Sequence, residues 1–276
     1  MNQLRPAFSL KTWKADAPFF VMAGPCVLET ESEALLIART IKEIGERLGL
    51  PMVFKASFDK ANRTSGTAHR GPGMDEGLKI FQRIEAETGL PMVVDVHWPE
   101  QTAVAAKVCQ VLQIPAFLCR QTDLVVAAAQ SSCCVNVKKG QFLAPTDTEH
   151  IVKKIKSVSP EIEVVLTERG TSFGYGNLVV DMRSFPIMRQ WADLVVYDAT
   201  HSLQLPGAGG GKTTGQREYI PYLAQAAMAT GCVDGLFLEV HPEPARSPSD
   251  AENIWPLDQL ESLLRRLRDI RHAACA

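Results

Sequence analysis

Residues 19–58 read FFVMAGPCVLETESEALLIARTIKEIGERLGLPMVFKASF, with two short apolar runs on either side of a longer periodic segment. The two runs, which begin at Phe19 and Met52, are rich in aromatic and β-branched residues and predict buried strands. From Glu31, the segment between them repeats apolar residues at positions i, i+3, i+4 and i+7, which predicts an amphipathic helix. Leu50-Pro51 marks the place where this helix stops. The stretch therefore predicts a strand, a helix and a second strand parallel to the first.

The same alternation continues along the chain and gives about eight strands. Apolar strands separated by helices indicate a parallel sheet covered on its outer face, and eight repeats in 276 residues favour a closed (β/α)8 barrel, or TIM barrel. A doubly wound open sheet is the alternative. We expect residues 1–276 to form a single domain, with residues 1–18 as an extension that forms a short strand or hairpin over one end of the barrel. The predicted strands are FFVMAGPC, MVFKASF, MVVDVH, VLQIPA, VNVKKG, EVVLTERG, LVVYDATH and GLFLEVH.

Composition and charge exclude several classes of protein. With 46% hydrophobic and 22% charged residues, the chain has the composition of a globular protein with a large core. The formal net charge of -2 and the pI near 6.3 give no basic excess for nucleic acid or anionic lipid, so we expect a small-molecule partner. No apolar run approaches the roughly 20 residues of a membrane span, and the first residues lack the apolar core of a signal peptide. These features predict a cytoplasmic location.

The seven cysteines are an odd number without a CxxC pair, which fits neither a disulfide framework nor a zinc finger. Because free cysteine is among the most buried residue types, we expect most of them to be core thiols, including Cys133-Cys134 and Cys232. Cys26 differs because it directly follows a predicted strand, where a buried thiol and a metal ligand look alike. The residues alone leave both interpretations of Cys26 open.

Reactive or charged residues stand at nearly every predicted strand end. In a (β/α)8 barrel the working residues lie at the C-terminal ends of the strands and in the loops that follow. The sequence therefore predicts a polar, cation-rich pocket at one mouth of the barrel, and phosphate and carboxylate groups are natural ligands of Lys and Arg. The residues concerned are Cys26, Lys55, Lys60, Arg63, Asp95, His97, Gln113, Arg120, Lys138, Lys139, Glu168, Arg169, Asp198, His201, Glu239 and His241.

A glycine-rich segment, LPGAGGGKTTGQRE, begins at Leu205 and looks at first like a nucleotide-binding loop. A P-loop needs glycine where this chain has Pro206, so the nucleotide-binding interpretation fails. We expect instead a mobile loop after the seventh strand that closes over a ligand.

Four residues are candidate ligands of one divalent metal ion, namely Cys26, His201, Glu239 and Asp250. The first three belong to the ends of strands one, seven and eight, which adjoin in a closed barrel, and Asp250 lies in a polar loop long enough to fold back over the mouth. Thiolate, imidazole and carboxylate suit Zn2+, Fe2+ or Mn2+ without selecting one of them. No local metal motif joins the four residues, so spacing alone does not establish the site.

Several longer motifs run through nearly the whole chain, from about Phe19 to the last helix. They are FKASFDKANRTS, RGPG, IPAFLCRQTDL, NVKKGQF, ERGTSFGYGNLVVDMR and FLEVHPEP. Together they resemble the family of the 3-deoxy-D-manno-octulosonate 8-phosphate synthases, also named 2-dehydro-3-deoxyphosphooctonate aldolases. FDKANR is specific, because the related 3-deoxy-D-arabino-heptulosonate 7-phosphate synthases carry Lys-Pro-Arg-Thr where this chain reads KANRT. The heptulosonate enzyme, which uses erythrose 4-phosphate, is therefore the alternative.

The resemblance implies a transferase with a (β/α)8 barrel that condenses phosphoenolpyruvate with D-arabinose 5-phosphate and water. The products are 3-deoxy-D-manno-octulosonate 8-phosphate and inorganic phosphate, and the C–O bond of phosphoenolpyruvate is cleaved. The resemblance also implies a homotetramer that serves lipopolysaccharide biosynthesis, with Arg63 and the hydroxyl after it entering a neighbouring active site. Neither nucleic acid nor a membrane is expected as a partner.

The resemblance carries roles to individual residues. It assigns the phosphate and carboxylate of phosphoenolpyruvate to Lys55, Lys60, Lys138, Arg169 and His201. It assigns the pentose phosphate to Asn62, Arg63 and Thr64-Ser65, and a sugar hydroxyl to Asp95. The candidate catalytic residues are Lys60, Lys138, His201 and Glu239, and the proton carrier is left open between His201, Glu239 and a metal-bound water. We expect Ser57, Gln113, Phe117 and Gln141 to line the pocket.

The resemblance also bears on Cys26. The family contains members with cysteine at this position, which require a divalent metal, and members with asparagine, which do not. The motif AGPCVLE places this chain with the metal-dependent class. Ser249-Asp250-Ala251 agrees, because metal-free members typically read Cys-Asp-Gly there. The resemblance thus implies that Cys26, His201, Glu239 and Asp250 bind the metal.

Two other functional classes use similar residues. A Schiff-base aldolase needs one lysine of depressed pKa in an apolar setting, whereas Lys55 and Lys138-Lys139 are expected among anionic groups. A sugar-phosphate binding module would keep the cations but would not need Cys26 together with Asp250. Two interpretations stay open for each of three further residues. His97 and His241 either orient neighbouring carboxylates or act directly, and Arg120 either binds phosphate or braces the fourth loop.

Overall fold

Eight parallel strands form a closed barrel in the computed structural model, which describes residues 8–62, 66–67, 69–206 and 214–275. Each strand pairs with the next along the chain, and the last strand pairs with the first, so that Gly24 lies opposite Glu239. This closure confirms the (β/α)8 barrel and excludes the open sheet. The barrel strands are β1 (Phe20–Gly24), β2 (Met52–Ala56), β3 (Met92–Asp95), β4 (Val111–Ile114), β5 (Cys134–Lys138), β6 (Val164–Glu168), β7 (Leu194–Asp198) and β8 (Gly235–His241).

Helices follow the strands and cover the outside of the barrel. Helix α2 shows why they form where they do: Thr30 accepts a hydrogen bond from the backbone N–H of Glu33 at its start, and Gly49 ends it with a φ of 64°. Its buried stripe, which includes Ile37 and Ile41, packs against the strands. The helices are α1 (Leu10–Lys14), α2 (Glu31–Leu48), α3 (Met74–Thr88), α4 (Pro99–Ala105), α5 (Thr122–Ala129), α6 (Thr148–Val158), α7 (Ser184–Met188), α8 (Ile220–Ala229) and α9 (Leu260–Cys275).

Short additional strands lie in the loops at the mouth. Residues Thr171–Ser172 pair with Leu178–Val179, and Gln204–Leu205 pair with Thr214–Gly215, both antiparallel. Trp255–Pro256 extends the sheet beside the end of β8. These additions lie in the loops after β6, β7 and β8, so they shape the side of the mouth where the last strands meet the first.

Two apolar layers surround the barrel wall. The inner layer consists of side chains that point into the barrel, and the outer layer fills the space between strands and helices. The inner layer includes Phe20, Met22, Val53, Val93, Val165 and Phe237, all fully buried. The interior of the described barrel is therefore a packed core, and the strand-end polar residues meet at its mouth.

The described part of the N-terminal extension is the helix α1, which corrects the expected strand or hairpin. Ser9 caps this helix, and Glu163 accepts hydrogen bonds from the Ser9 hydroxyl at 2.7 Å and from the backbone N–H of Leu10 at 2.7 Å. Leu10 is fully buried among the inner core residues at the end of the barrel opposite the mouth. The expected position over one end of the barrel is confirmed, but five residues are too few to show helical periodicity.

Most of the cysteines lie in the core, as expected from their residue type. Cys26, Cys109, Cys119, Cys133 and Cys134 are buried, whereas Cys232 is only half-buried and Cys275 is exposed. Among the described residues, no helix combines the length and the apolar character that a membrane crossing needs.

Candidate active site

Cys26, Glu239 and Asp250 lie together at the mouth of the barrel. Because β1 pairs with β8, the loop after Gly24 brings Cys26 beside Glu239. Asp250 reaches the same place from the loop after β8, with a φ of 51° that few residues other than glycine adopt. One donor atom from each of the three residues lies within 4.8 Å of the others, and the Cys26 thiol donates a 3.3 Å hydrogen bond to Asp250 Oδ2. The barrel thus assembles three of the four predicted metal ligands.

His201 stands next to this group and is held by Asp198. Its Nδ1 lies 2.8 Å from Asp198 Oδ2, and its backbone N–H donates to Asp198 Oδ1 at 2.9 Å. A proton on Nδ1 satisfies that contact, which leaves Nε2 to face Glu239 Oε1 at 3.5 Å. A carboxylate that fixes one imidazole nitrogen while the other faces the donor group is the usual arrangement around a metal-binding histidine.

These four residues fit a divalent metal ion. Burial and the nearby charge of Glu239 raise the pKa of the Cys26 thiol well above its ordinary value, so the thiol is protonated without a bound cation. Glu239 is fully buried, and its Oε2 has no hydrogen-bond partner in the part of the chain described. A cation would satisfy this oxygen and favour the thiolate, because metal ligation requires the deprotonated sulfur.

Lys55 and Lys60 converge on the same carboxylates from β2 and the loop after it. Lys55 Nζ lies 3.4 Å from Glu239 Oε1 and 3.5 Å from Asp95 Oδ2, and Lys60 Nζ lies 3.7 Å from Glu239 Oε1. Both ammonium groups donate to the Ser57 hydroxyl, at 3.2 and 3.1 Å. Although burial works to lower the pKa of Lys60, the nearby charges of Glu239 and Asp95 help to raise it above its ordinary value. Lys60 is therefore a permanent cation at the mouth.

Lys138 has a different environment. It pairs with Asp198, and its Nζ lies 3.2 Å from the centroid of the Phe237 ring. Burial lowers the pKa of Lys138 to about 8, against the opposing charge of Asp198. The expectation that Lys138 stands among anions is confirmed by Asp198, but the depressed pKa was not expected. Asp198 serves both Lys138 and His201, a role that the sequence did not indicate.

Arg169 enters the mouth at the end of β6. The side chain is 5% exposed, and Nη2 donates a 2.6 Å hydrogen bond to Gln204 Oε1, while Nη1 is buried with no partner in the described ranges. Gln204 also donates from Nε2 to Asp250 Oδ1 at 3.0 Å. Gln204 therefore joins Arg169 to Asp250, and sequence reasoning missed it because one glutamine in a short loop strand carries no recognisable signal.

A chain of hydrogen bonds crosses the barrel interior beneath the mouth. Asp95 accepts from the Ser57 hydroxyl and, at 2.5 Å, from Gln113 Nε2. Gln113 Oε1 accepts from Asn136 Nδ2 at 2.8 Å, and Asn136 Oδ1 accepts from the Thr167 hydroxyl at 2.6 Å. Gln113 was expected to line the pocket, but both the nitrogen and the oxygen of its side-chain amide form hydrogen bonds with residues of neighbouring strands. Asn136 and Thr167 were missed, although a polar residue inside an apolar strand is a signal for such a network.

The remaining predicted residues fall into three groups. Phe117 is 57% exposed in the loop after β4, Asn62 is exposed in a turn, and Gln141 is half-buried with an Oε1 that has no partner among the described residues. Lys139 is fully buried and is held by the Thr171 hydroxyl at 3.0 Å and by Glu168 at 3.4 Å, while Arg120 is exposed. Arg63, Thr64-Ser65 and the central part of the glycine-rich segment, residues 207–213, lie outside the described residues.

Comparison with known proteins identifies the family. Residues 12–274 match the model of the DAHP synthetase I family. A 2-dehydro-3-deoxyphosphooctonate aldolase of Acidithiobacillus ferrooxidans is 55% identical over 255 residues, which cover 92% of this chain and 90% of the relative. The protein of the same name from Geobacter metallireducens is 56% identical, with 92% of each chain covered. That from Trichlorobacter lovleyi is 55% identical, with 90% of each chain covered. The chain therefore belongs to the DAHP synthetase I family and, within it, to the 2-dehydro-3-deoxyphosphooctonate aldolases.

Proposed function

We propose that the protein condenses phosphoenolpyruvate with D-arabinose 5-phosphate and water to give 3-deoxy-D-manno-octulosonate 8-phosphate and inorganic phosphate. The proposal rests on one observation: four buried or partly buried cations lie at the same barrel mouth as the three donor residues. The cations are Lys55, Lys60, Lys138 and Arg169, and the donors are Cys26, Glu239 and Asp250. The name that the relatives share supports the octulosonate enzyme over the heptulosonate alternative. A cytoplasmic location and a place in lipopolysaccharide biosynthesis belong to the same proposal.

Positioning is the first task of this site. C3 of phosphoenolpyruvate is a weak enol nucleophile, and the aldehyde form of the sugar phosphate is scarce, so the two reactants must be held in a reactive arrangement. Lys55, Lys60, Lys138 and Arg169 hold the phosphate and the carboxylate of phosphoenolpyruvate by charge-assisted hydrogen bonds. Fixed cations of this kind need no reorganisation when charge shifts during the reaction.

Attack of C3 on the aldehyde carbon forms the new C–C bond and leaves positive character at C2. The π electrons of the C=O bond move to the aldehyde oxygen, which takes up a proton and becomes a hydroxyl. Water adds at C2, its proton passes to a base, and the resulting phosphohemiketal loses inorganic phosphate by cleavage of the C–O bond. The Glu239 carboxylate stands beside the cations and has two oxygens, so one of them can accept the water proton while the other binds an ion. His201 Nε2 has a single lone pair and can serve as the base only when it binds no metal. When bound by Cys26, His201, Glu239 and Asp250, a divalent ion supplies Lewis-acid polarisation at the mouth.

The second substrate and the assembly extend the proposal beyond the described residues. We assign the pentose phosphate to Asn62, Arg63 and Thr64, and a sugar hydroxyl to Asp95, whose Oδ2 and Oδ1 already accept from Ser57 and Gln113. A homotetramer in which Arg63 enters a neighbouring site would complete the pocket. Ser57, Phe117 and Gln141 are assigned to its lining.

Release of inorganic phosphate tests the proposed reaction. We expect release when phosphoenolpyruvate and arabinose 5-phosphate are mixed with the protein, loss of activity after EDTA, and recovery with Mn2+, Fe2+ or Zn2+. Release with erythrose 4-phosphate but not with arabinose 5-phosphate would support the heptulosonate alternative instead. No release with either sugar would leave the protein as a sugar-phosphate binding module, and full activity after complete removal of metal would show that Cys26 is a structural thiol.

The pKa of Lys138 predicts a pH dependence. Lys138 is protonated below its pKa of about 8 and binds an anion only in that state, so kcat/KM for phosphoenolpyruvate should fall as the pH rises through about 8. In a Lys138→Arg variant the charge persists, because a guanidinium group stays protonated throughout this pH range, and the fall should move to higher pH. The measurement is kcat/KM for phosphoenolpyruvate from about pH 6 to pH 10. If both proteins lose activity at the same pH, another group controls the profile.

The same depressed pKa is the one observation that favours a Schiff-base aldolase, since this mechanism needs a lysine that is neutral near pH 7. The pairing of Lys138 with Asp198 opposes it, because the carboxylate stabilises the ammonium form. Borohydride treatment in the presence of pyruvate would reduce an imine and attach the ligand to Lys138. We expect no attachment, detected as an unchanged mass of the intact protein.

A further inference from the structure

His241 lies at the end of β8 and contacts two other segments of the chain. The side chain is 2% exposed, and its Nδ1 accepts a 2.9 Å hydrogen bond from the backbone N–H of Glu243. On the other side of the ring, Nε2 lies 2.7 Å from Glu33 Oε1 in the first turn of α2 and 3.6 Å from Glu29 Oε1. The chemistry proposed above makes no use of this histidine.

A second metal site is the first interpretation to consider, because Glu29, Glu33 and His241 each place a donor atom within 4.8 Å of the others. The hydrogen bonds of the imidazole exclude it. A backbone N–H can only donate, so Nδ1 carries no proton and the ring proton resides on Nε2. Nε2 then donates to Glu33 and has no lone pair for a metal ion. His241, the Glu33 carboxylate and the backbone N–H of Glu243 therefore form a hydrogen-bonded clamp.

The clamp joins the three segments that deliver the thiol and the two carboxylates of the active site. Glu239 stands two residues before His241 on β8, and Cys26 lies in the loop that leads into Glu33 and helix α2. Glu243 begins the loop that carries Asp250. One buried imidazole thus fixes the relative positions of three segments that are far apart in sequence.

We propose that His241 and Glu33 are positioning residues for the metal ligands Cys26, Glu239 and Asp250. The inference rests on the metal site of the proposed function. A metal site depends on ligand positions within a fraction of an ångström, and supporting hydrogen bonds typically contribute about 10- to 100-fold in metal affinity. Loss of the clamp should weaken metal binding even though neither residue touches the ion.

Variants of Glu33 test the clamp. Glu33→Ala removes the acceptor of the His241 hydrogen bond, whereas Glu33→Gln removes the charge but keeps an acceptor oxygen. We expect Glu33→Ala to weaken Zn2+ binding by about 10-fold or more, and Glu33→Gln to stay within about 2-fold of the wild type. The dissociation constant is measured by competition with a chromophoric chelator on the full-length protein.

A matched control is available in the same helical turn. Glu31→Ala removes a carboxylate that pairs with Arg83 on the surface, so it reproduces the loss of charge near the start of α2 without touching the clamp. We expect Glu31→Ala to bind Zn2+ as the wild type does. The melting temperature of each metal-free variant shows whether a weaker affinity comes from a general loss of stability.

The outcomes separate the clamp from the metal site itself. If the wild type binds no Zn2+, the proposed metal site fails and the clamp fails with it. If the wild type binds Zn2+ and a folded Glu33→Ala variant binds equally well, the clamp alone is wrong. Equal weakening in Glu33→Ala and Glu33→Gln would show that the charge of Glu33 matters instead of the hydrogen bond, and this outcome also overturns the proposal.

Discussion

A Cys26→Ala variant is expected to release phosphate at least about 100-fold more slowly than the wild type and to lose its tightly bound divalent metal. The thiol is the one soft donor among the four proposed ligands. It is fully buried and lies 3.3 Å from Asp250 Oδ2. In the alanine variant three of the four proposed metal ligands remain, which are too few to bind a divalent ion tightly. Polarisation by a metal ion contributes several kcal/mol to catalysis, and each 1.36 kcal/mol corresponds to a tenfold change in rate. Metal content per chain and phosphate release under saturating substrates measure the two effects.

The control for Cys26→Ala is Cys232→Ala. Cys232 is half-buried beside Asp234 at the start of β8, the end of the barrel away from the mouth. Its replacement should leave metal content and rate unchanged, which separates the loss of a ligand from the loss of any thiol. A Cys26→Ala protein that keeps its bound metal and its rate would show that the sulfur packs in the core without binding the ion.

An Arg169→Gln variant is expected to lose about 100- to 1000-fold in kcat/KM for phosphoenolpyruvate, the range found when one fixed electrostatic donor is removed from an active site. Arg169 Nη1 is buried without a partner within the described part of the chain, although buried donors are nearly always satisfied. A ligand oxygen is therefore the partner that we assign to it. Glutamine is shorter and uncharged, so it replaces neither the charge nor the fork of the guanidinium. Steady-state kinetics with phosphoenolpyruvate varied provide the measurement.

Two further variants make the Arg169 result interpretable. Arg183→Ala removes an exposed arginine that pairs with Asp181, and it should leave the kinetics unchanged. Arg169→Lys keeps the charge but not the paired donors, so it should recover only part of the lost activity. A wild-type kcat/KM in a folded Arg169→Gln protein would exclude contact between Arg169 and phosphoenolpyruvate.

The barrel could be predicted from sequence because its signals are local and repeated. Each apolar strand, such as the one from Phe20 to Gly24, is followed by a helical period, and eight repeats leave few alternatives to a closed ring. The cations could also be anticipated, since Lys55, Lys138 and Arg169 stand at strand ends that a parallel barrel must bring together. These inferences needed only periodicity and the geometry of the fold.

Contacts that depend on side-chain direction could not be predicted. Asp198 was recognised as a strand-end residue, but its pairing with Lys138 depends on the directions of side chains from β5 and β7, and its pairing with His201 depends on the turn that follows β7. The link through Gln204 and the buried positions of Asn136 and Thr167 likewise arise from non-local distances. The short helix at Leu10 was missed because tertiary contacts with Glu163 hold it, while its own length is marginal.

The pairing of β1 with β8 has a consequence for biosynthesis. Cys26 is synthesised well before Glu239 and before Asp250, which lies 224 residues further along the chain. Strands that are synthesised first can pack against their own helices, but the barrel cannot close before β8 has been synthesised. The donor group is therefore incomplete in the nascent chain. The proposed metal site is complete only when β8 and the loop after it have been synthesised.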